Sequence, residues 1–376
     1  MSRAWNPFSR WRRTSTATME APVATRPARR PVDAGTSGAA AQTSDKTSAL
    51  PAEAPNATPA IGIVLAAGAI GVALSAQEHV RFFCWLVDTT PRPNPDPPAA
   101  FIPSLFEQLD QVIGSETLRA ALLPRAPHVV PQLMKTLRDE TYSSTDVAAR
   151  ISKDVSLTAE VVRSATSAFQ RAGEGGAEDG EIDLARAVAM IGTQGLRRAI
   201  ASVVLRPIFD ARGDSLSARA ATQIWKDADK KARLCATLAA QLSLDPFDGY
   251  LAGLLHNSGW TAALRAIDGL PILAVGAADL AHAEVVPQLR QRRDTLFGAL
   301  VAPWNLSPAM DELAIEVGRV GLDVAASPLG AALRDAERLA ALHSLAPAGQ
   351  RPATDVPMWA TLPKPVQECY AALSRA

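Results

Sequence analysis

The chain has 376 residues, 48% of them hydrophobic and 5% aromatic, with basic and acidic side chains in equal number. That length suits one large domain or two moderate ones with tails, and the apolar fraction is ample for a core. The zero net charge is distributed as +4 in residues 1–59 and −4 in the remainder, so the body lacks the basic footprint that nucleic acid binding requires.

Residues 12–59 contain no aromatic side chain and are rich in Ala, Thr, Ser and Pro. Such a segment buries too little apolar area to offset its ordering entropy, and residues 1–59 read as a disordered tail. Trp5, Phe8 and Trp11 among Arg10, Arg12 and Arg13 read as a frayed terminus, with contact to a membrane surface or a partner as the alternative. Residues 60–76, AIGIVLAAGAIGVALSA, carry no charge, and the next charged residue is Glu78. At 1.5 Å per residue a helix of this length falls slightly short of a bilayer core. It is expected to be a buried or partner-facing helix, and a membrane span is the competing reading. The prolines of TTPRPNPDPP, residues 89–98, cannot continue a helix and predict a linker, so residues 60–100 form an apolar helix and its linker.

From Phe101 the pattern is helical. Ala and Leu dominate, and the alternating Val, Ile, Thr and Tyr runs of an extensive sheet are scarce. Ser143 and Ser144 can cap a helix in which Val147, Ile151 and Val155 recur every four residues. Leu184, Ala187, Val188 and Ile191 occupy one helical face that Gly192 ends. Leu196, Ile200, Val203 and Val204 begin another stripe, and Ala228, Ala232, Cys235, Ala239 and Leu242 form a third. Gly192 and Gly195, followed by Arg197 and Arg198, mimic the backbone clamp of an RNA-binding module. That module needs strands, so a helix–helix turn is the better reading. Residues 144–166 also admit a helix-turn-helix with Arg150, Lys153 and Arg163 on phosphates, but Asp146, Asp154 and Glu160 among them would repel DNA. Pro347, Pro352, Pro357, Pro363 and Pro365 interrupt residues 346–376, which leaves at most a short terminal helix.

Cys84, Cys235 and Cys369 stand far apart with no CxxC, which argues against a disulfide framework and fits a reducing, cytoplasmic compartment. No Walker loop, GxSxG or GxGxxG is present.

Several phrases line up in order. LLPRAPHVVPQLMKTLRD (122–139), STDVAARISKDVSLTAEVVRSATSAF (144–169), IDLARAVAMIGTQGLRRAIAS (182–202), IWKDADKKARLCATLA (224–239), AGLLHNSG (252–259) and a segment around Trp304 together resemble the HDOD domain, the HD-related output domain of bacterial signalling proteins. In that family an Asp-Pro step precedes a buried helix that ends in an Asn-Ser-Ala phrase. Here the step is Asp154–Val155, and the phrase is Thr166, Ser167 and Ala168. The resemblance spans about residues 120–310. It implies an all-α, two-lobed helical domain over residues 101–345, with lobes at about 101–212 and 215–345.

HD-type phosphohydrolases need clustered imidazoles and carboxylates to hold a metal that activates water against a phosphate ester. The His-Asp pair that anchors such a metal reads His256–Asn257 here, and an uncharged amide is a poor anchor for a dication. The upstream histidine that the resemblance implies is replaced by Asp227. Downstream, Arg292, Arg293 and Asp294, then Gly318 and Arg319, stand where further histidines would be. Asp227, His256 and Asn257 are therefore vestigial positions. No catalytic, cofactor or metal residue is assigned, and His256 is expected to be a hydrogen-bonded core side chain. His128, His282 and His343 read as surface or cap residues, and His79 has no evident ligand set.

The function that the resemblance implies is a non-catalytic regulatory or scaffolding role in bacterial signal transduction, through a protein partner or a small signalling ligand. A divergent metal-dependent nucleotide phosphohydrolase is the alternative. A membrane-tethered sensor using residues 60–76 is a third reading.

Overall fold

The computed structural model describes residues 74–90, 100–123, 159–162, 184–211, 213–270, 275–346 and 359–373. Among these residues every regular element is helical, and the fold is all-α. The tail 1–59, most of the apolar run 60–76, the linker prolines, His128, the 144–158 and 163–169 phrases and Pro347 to Pro357 lie outside the described residues.

Twelve α-helices are described. They are α1 (Ala76–Leu86), α2 (Ile102–Gly114), α3 (Glu116–Leu122), α4 (Leu184–Phe209), α5 (Leu216–Gln241), α6 (Pro246–His256), α7 (Ser258–Asp268), α8 (Ala277–Leu280), α9 (Val286–Val301), α10 (Pro308–Val320), α11 (Pro328–Leu345) and α12 (Lys364–Ala372).

Helix α1 shows why local sequence sets an element boundary. Ser75 has extended backbone, and its Oγ accepts from the Glu78 amide at 3.2 Å. The Ser75 amide in turn donates to Glu78 Oε2 at 2.7 Å. This reciprocal capping box starts a fresh helix at Ala76. The packed body thus begins well before Phe101, because Val80, Phe82, Phe83, Leu86 and Val87 are all buried.

Helix α5 is the spine. Its N-terminus is capped from a distance: Asp268 at the end of α7 accepts from the Leu216 and Ser217 amides at 2.9 and 3.0 Å. The carboxylate satisfies two otherwise unpaired N–H groups and complements the positive end of the helix. Along α5, Ala228, Ala232, Cys235 and Ala239 are buried, as the stripe predicts.

Small residues let α6 lie directly on α5. A Cβ on Gly253 would sit 2.5 Å from Ala232 Cα, and one on Gly249 would sit 2.7 Å from the Cys235 carbonyl oxygen. The same device recurs between α9 and α10, where a Cβ on Gly298 would fall 2.5 Å from Gly318 Cα. It recurs between α7 and α9, where a Cβ on Gly259 would meet the Arg293 carbonyl oxygen at 2.3 Å. In α4 the chain breaks at Gly192, whose φ of 62° and ψ of −176° join two helical stretches. This is a helix–helix turn in a conformation that favours glycine.

Candidate functional site

Asn257 separates α6 from α7, and that break turns His256 and Asn257 into the interior, where both are fully buried. The glycine-backed contact with α5 sets Asp227 and Lys231, one turn apart, against them. Helix α9 brings Arg293 and Asp294, and α11 brings Glu337. All of these residues are 6% exposed or less. Asp227, His256 and Asn257, the three positions that the sequence reading groups, therefore share one place.

Lys231 holds the centre. Its Nζ lies 2.6 Å from Asn257 Oδ1, 3.2 Å from His256 Nδ1, 3.3 Å from Glu337 Oε2 and 3.5 Å from Asp227 Oδ2. Asn257 is oriented by its other end: Nδ2 donates to Asp227 Oδ2 at 2.9 Å and to the Ile224 carbonyl at 3.1 Å. Turning the amide over would place N–H groups against an ammonium, so the network fixes its direction. His256 is held between two carboxylates, with Nε2 3.0 Å from Asp294 Oδ1 and Nδ1 3.1 Å from Glu337 Oε2. Its ring meets Phe297 edge-on.

Arg293 completes the cluster. Its Nε donates to Asp294 Oδ1 at 2.9 Å and its Nη1 to Glu337 Oε1 at 2.7 Å. Its guanidinium lies 5.3 Å from the centre of the Trp260 ring. Asp294 Oδ2 accepts from the Leu322 amide at 2.9 Å, across the turn that Gly321 makes at φ 85°. Burial pushes the Glu337 carboxyl up, but Arg293 and Lys231 outweigh it and hold that carboxyl well below the usual range. Asp294 follows the same logic: burial raises it, and Arg293 and the His256 hydrogen bond bring it below its ordinary value. Opposed charges fully removed from water require this kind of pairing.

These side chains do not fit a divalent cation. A metal needs converging lone pairs, and here an ammonium already stands where Asn257, His256, Glu337 and Asp227 converge. Among the described residues no group of three or more His, Cys, Asp or Glu is arranged to hold a metal. One carboxylate oxygen of the cluster, Asp227 Oδ1, has no hydrogen-bond partner. The other oxygen of that carboxylate, Oδ2, meets Lys231 and Asn257.

Sequence reasoning missed Lys231, Glu337 and Arg290. The signal for the first two was present. Lys231 sits four residues from Asp227, beside Ala228 and Ala232 in a buried stripe. Glu337 stands with Leu333, Ala336 and Ala340 on one face of α11, and a charge inside an apolar stripe implies a buried partner. Among the other histidines, His282 Nδ1 accepts from the Glu284 amide at 3.1 Å, as a local cap. His343 is half-buried edge-on to Tyr370, and burial followed by the nearby Lys230 pushes it down to about 4.

A family model described as the HDOD domain matches residues 123–316. An uncharacterized protein of Treponema pallidum (strain Nichols) is 25% identical over an alignment of 187 positions that covers 45% of this chain and 34% of that protein. The chain thus spans about a third of that relative's length. Two solved structures resemble the fold. One, from Shewanella amazonensis SB2B and provisionally named a metal-dependent phosphohydrolase, is 18% identical with a TM-score of 0.48, over 72% of this chain and 99% of that one. The other is an HDOD domain protein of unknown function from Geobacter sulfurreducens. It is 19% identical with a TM-score of 0.41, over 73% of this chain and 89% of that one.

Proposed function

The chain belongs to the HDOD domain family, and on that premise we propose that it is a non-catalytic regulatory or scaffolding module of bacterial signal transduction. One observation carries this reading: the Lys231 ammonium stands 2.6 Å from Asn257 Oδ1 and 3.2 Å from His256 Nδ1, where a hydrolytic dication would need those side chains. Water activation against a phosphate ester requires a Lewis acid with an open position. A buried ammonium offers neither an empty orbital nor a site for water.

Binding to a protein partner or a small signalling ligand is the remaining work for such a domain. A cleft of about 850 Å³ between α2 and the start of α9 suits that role, with Ile102 and Phe106 as its apolar floor and Glu107, Asp110 and Glu284 around it. The buried thiols of Cys84 and Cys235 support a reducing, cytoplasmic setting. Among the described residues one stretch, Ala187–Phe209, is long and apolar enough to cross a membrane. The core helix of a soluble protein meets the same criterion, so membrane association through residues 60–76 is a separate proposal.

Metal analysis of the purified full chain tests the reading. The expected result is no stoichiometric iron, manganese or zinc, and no hydrolysis of nucleotide phosphoesters. Tightly bound metal that disappears in His256→Ala, or phosphodiesterase activity, would overturn it in favour of a divergent hydrolase.

A further inference from the structure

Helix α1 lies outside the residues matched by the family model, yet it packs on α5, α9 and α11, the helices that supply Lys231, Arg293 and Glu337. It reaches the cluster through two intermediate side chains, Arg290 and Trp260. His79 and Phe83 are one turn apart. His79 Nε2 is 3.2 Å from Arg290 Nη1, and Arg290 Nη2 is 3.6 Å from Glu337 Oε1. Phe83 packs on Trp260 with ring centres 5.7 Å apart, and Trp260 lies under the Arg293 guanidinium. Both routes end on a cluster residue. Trp85 adds a third contact on α5, with Lys230 Nζ 5.2 Å from its ring centre.

Helix α1 is also delimited at both ends. The capping box at Ser75 starts it independently of the preceding chain. After Leu86 the chain turns through Asp88 in the left-handed region, at φ 52°. In sequence it then enters a run with prolines at 91, 93, 95, 97 and 98. Among the described residues α1 closes with the Val87 amide on the Phe83 carbonyl and the Thr89 amide on the Cys84 carbonyl. An 11-residue helix is marginal alone, so its order depends on the face it covers.

We infer that α1 is a strap closed over the Lys231–Glu337 cluster, and that its release is the step that gives the cluster access to solvent and to ligands. The inference goes beyond the regulatory reading, since a strap governs access whether or not the domain is catalytic. Its failure would leave that reading intact.

The chain carries its own reporters. Cys84 is buried on α1, and Cys235 is buried on α5. Thiol labelling of the full native chain with a maleimide, normalised to each cysteine's rate in the denatured chain, compares release of the strap with opening of the spine. Acetylation of Lys231 by acetic anhydride, read by peptide mass spectrometry, reports on the cluster. Cys84 is expected to label at least about tenfold faster than Cys235, with Lys231 modified in step with Cys84. His79→Ala is expected to accelerate both Cys84 and Lys231 several-fold and to leave Cys235 unchanged. Equal rates for the two cysteines would overturn the inference, and so would Lys231 protection that follows Cys235. If His79→Ala loses its cooperative melt, the comparison within the native chain decides alone.

Discussion

Lys231 Nζ and Asn257 Oδ1 are 2.6 Å apart in the fully buried centre of the domain. The pair explains the asparagine. An aspartate there would put a second carboxylate beside Asp227, whose Oδ2 now accepts from the Asn257 amide at 2.9 Å. The asparagine presents its carbonyl to the ammonium and its N–H groups to the Asp227 carboxylate and the Ile224 carbonyl, a division of labour that an aspartate lacks. The asparagine and the lysine are thus two halves of one arrangement.

Removal of the ammonium should leave buried carboxylates without compensation. Lys231→Met is expected to lower unfolding stability by about 3–5 kcal/mol, the usual cost of breaking a buried ion pair from one side. Glu337→Met alone strips Arg293 and Lys231 of an acceptor and should cost a similar amount. The double variant should lose clearly less than the sum, since replacing a whole buried pair with apolar groups removes both desolvation penalties. Urea unfolding of the four proteins gives the coupling energy, and strict additivity would mean that the two side chains do not interact.

The face between α5 and α6 makes a packing prediction. A Cβ at Gly253 meets backbone atoms, Ala232 Cα at 2.5 Å and the Lys231 carbonyl carbon at 2.6 Å, not the end of a yielding side chain. Gly253→Ala therefore has to push α6 off α5, and it should cost about 1–3 kcal/mol despite alanine's better helix propensity. At Gly114, where a Cβ has open space, the same substitution should be close to neutral by comparison. Denaturant midpoints of the two variants test the contrast.

Much of this was legible in the sequence, for identifiable reasons. The all-α class followed from composition and from stripes such as Ala228, Ala232, Cys235 and Ala239, which are buried as the period requires. The convergence of Asp227, His256 and Asn257 came from the order of the family's phrases. What escaped notice was the charge inside the apolar stripes. Lys231 and Glu337 stand 106 residues apart in the chain, and no local spacing announces that one neutralises the other. A buried or partner-facing helix was expected over the apolar run 60–76, whereas the structure starts α1 at Ala76, because the Ser75–Glu78 capping box sets the boundary at the end of that run.

The burial of α1 has a measurable consequence for where the folded body starts. Phe83, Leu86 and Val87 are all 0% exposed, and a chain beginning at residue 101 would uncover the surfaces they pack on. Each buried side chain of this kind contributes roughly 1.5–3 kcal/mol. A fragment of residues 74–376 should therefore melt cooperatively and several degrees above one of residues 101–376. Calorimetry of the two fragments checks this, and identical melting temperatures would show that α1 adds nothing to the body.

Acid should weaken the fold in two stages, and the signs can be worked out. Burial, and then the neighbouring Arg290, push His79 from 6.5 down to about 4, with Glu337 and Asp323 opposing and Arg293 adding to the shift. The unfolded chain then takes up a proton near pH 6.5 that the folded chain refuses until about pH 4. The neutral ring's contribution is therefore complete above 6.5 and is lost as pH falls toward 4. His343 adds to the same stage, since burial and Lys230 bring it down to about 4 as well. The second stage belongs to Glu337 and Asp294. Their carboxyls are held below the ordinary values of 4.5 and 3.8, so their stabilisation is present above those values and lost as pH falls through the depressed ones. Urea midpoints should be flat above pH 7, decline between 6.5 and 4, and fall again in stronger acid. His79→Ala should reduce the first decline and leave the second unchanged. A first decline that persists at full size in that variant would assign the effect to groups other than the α1 histidine.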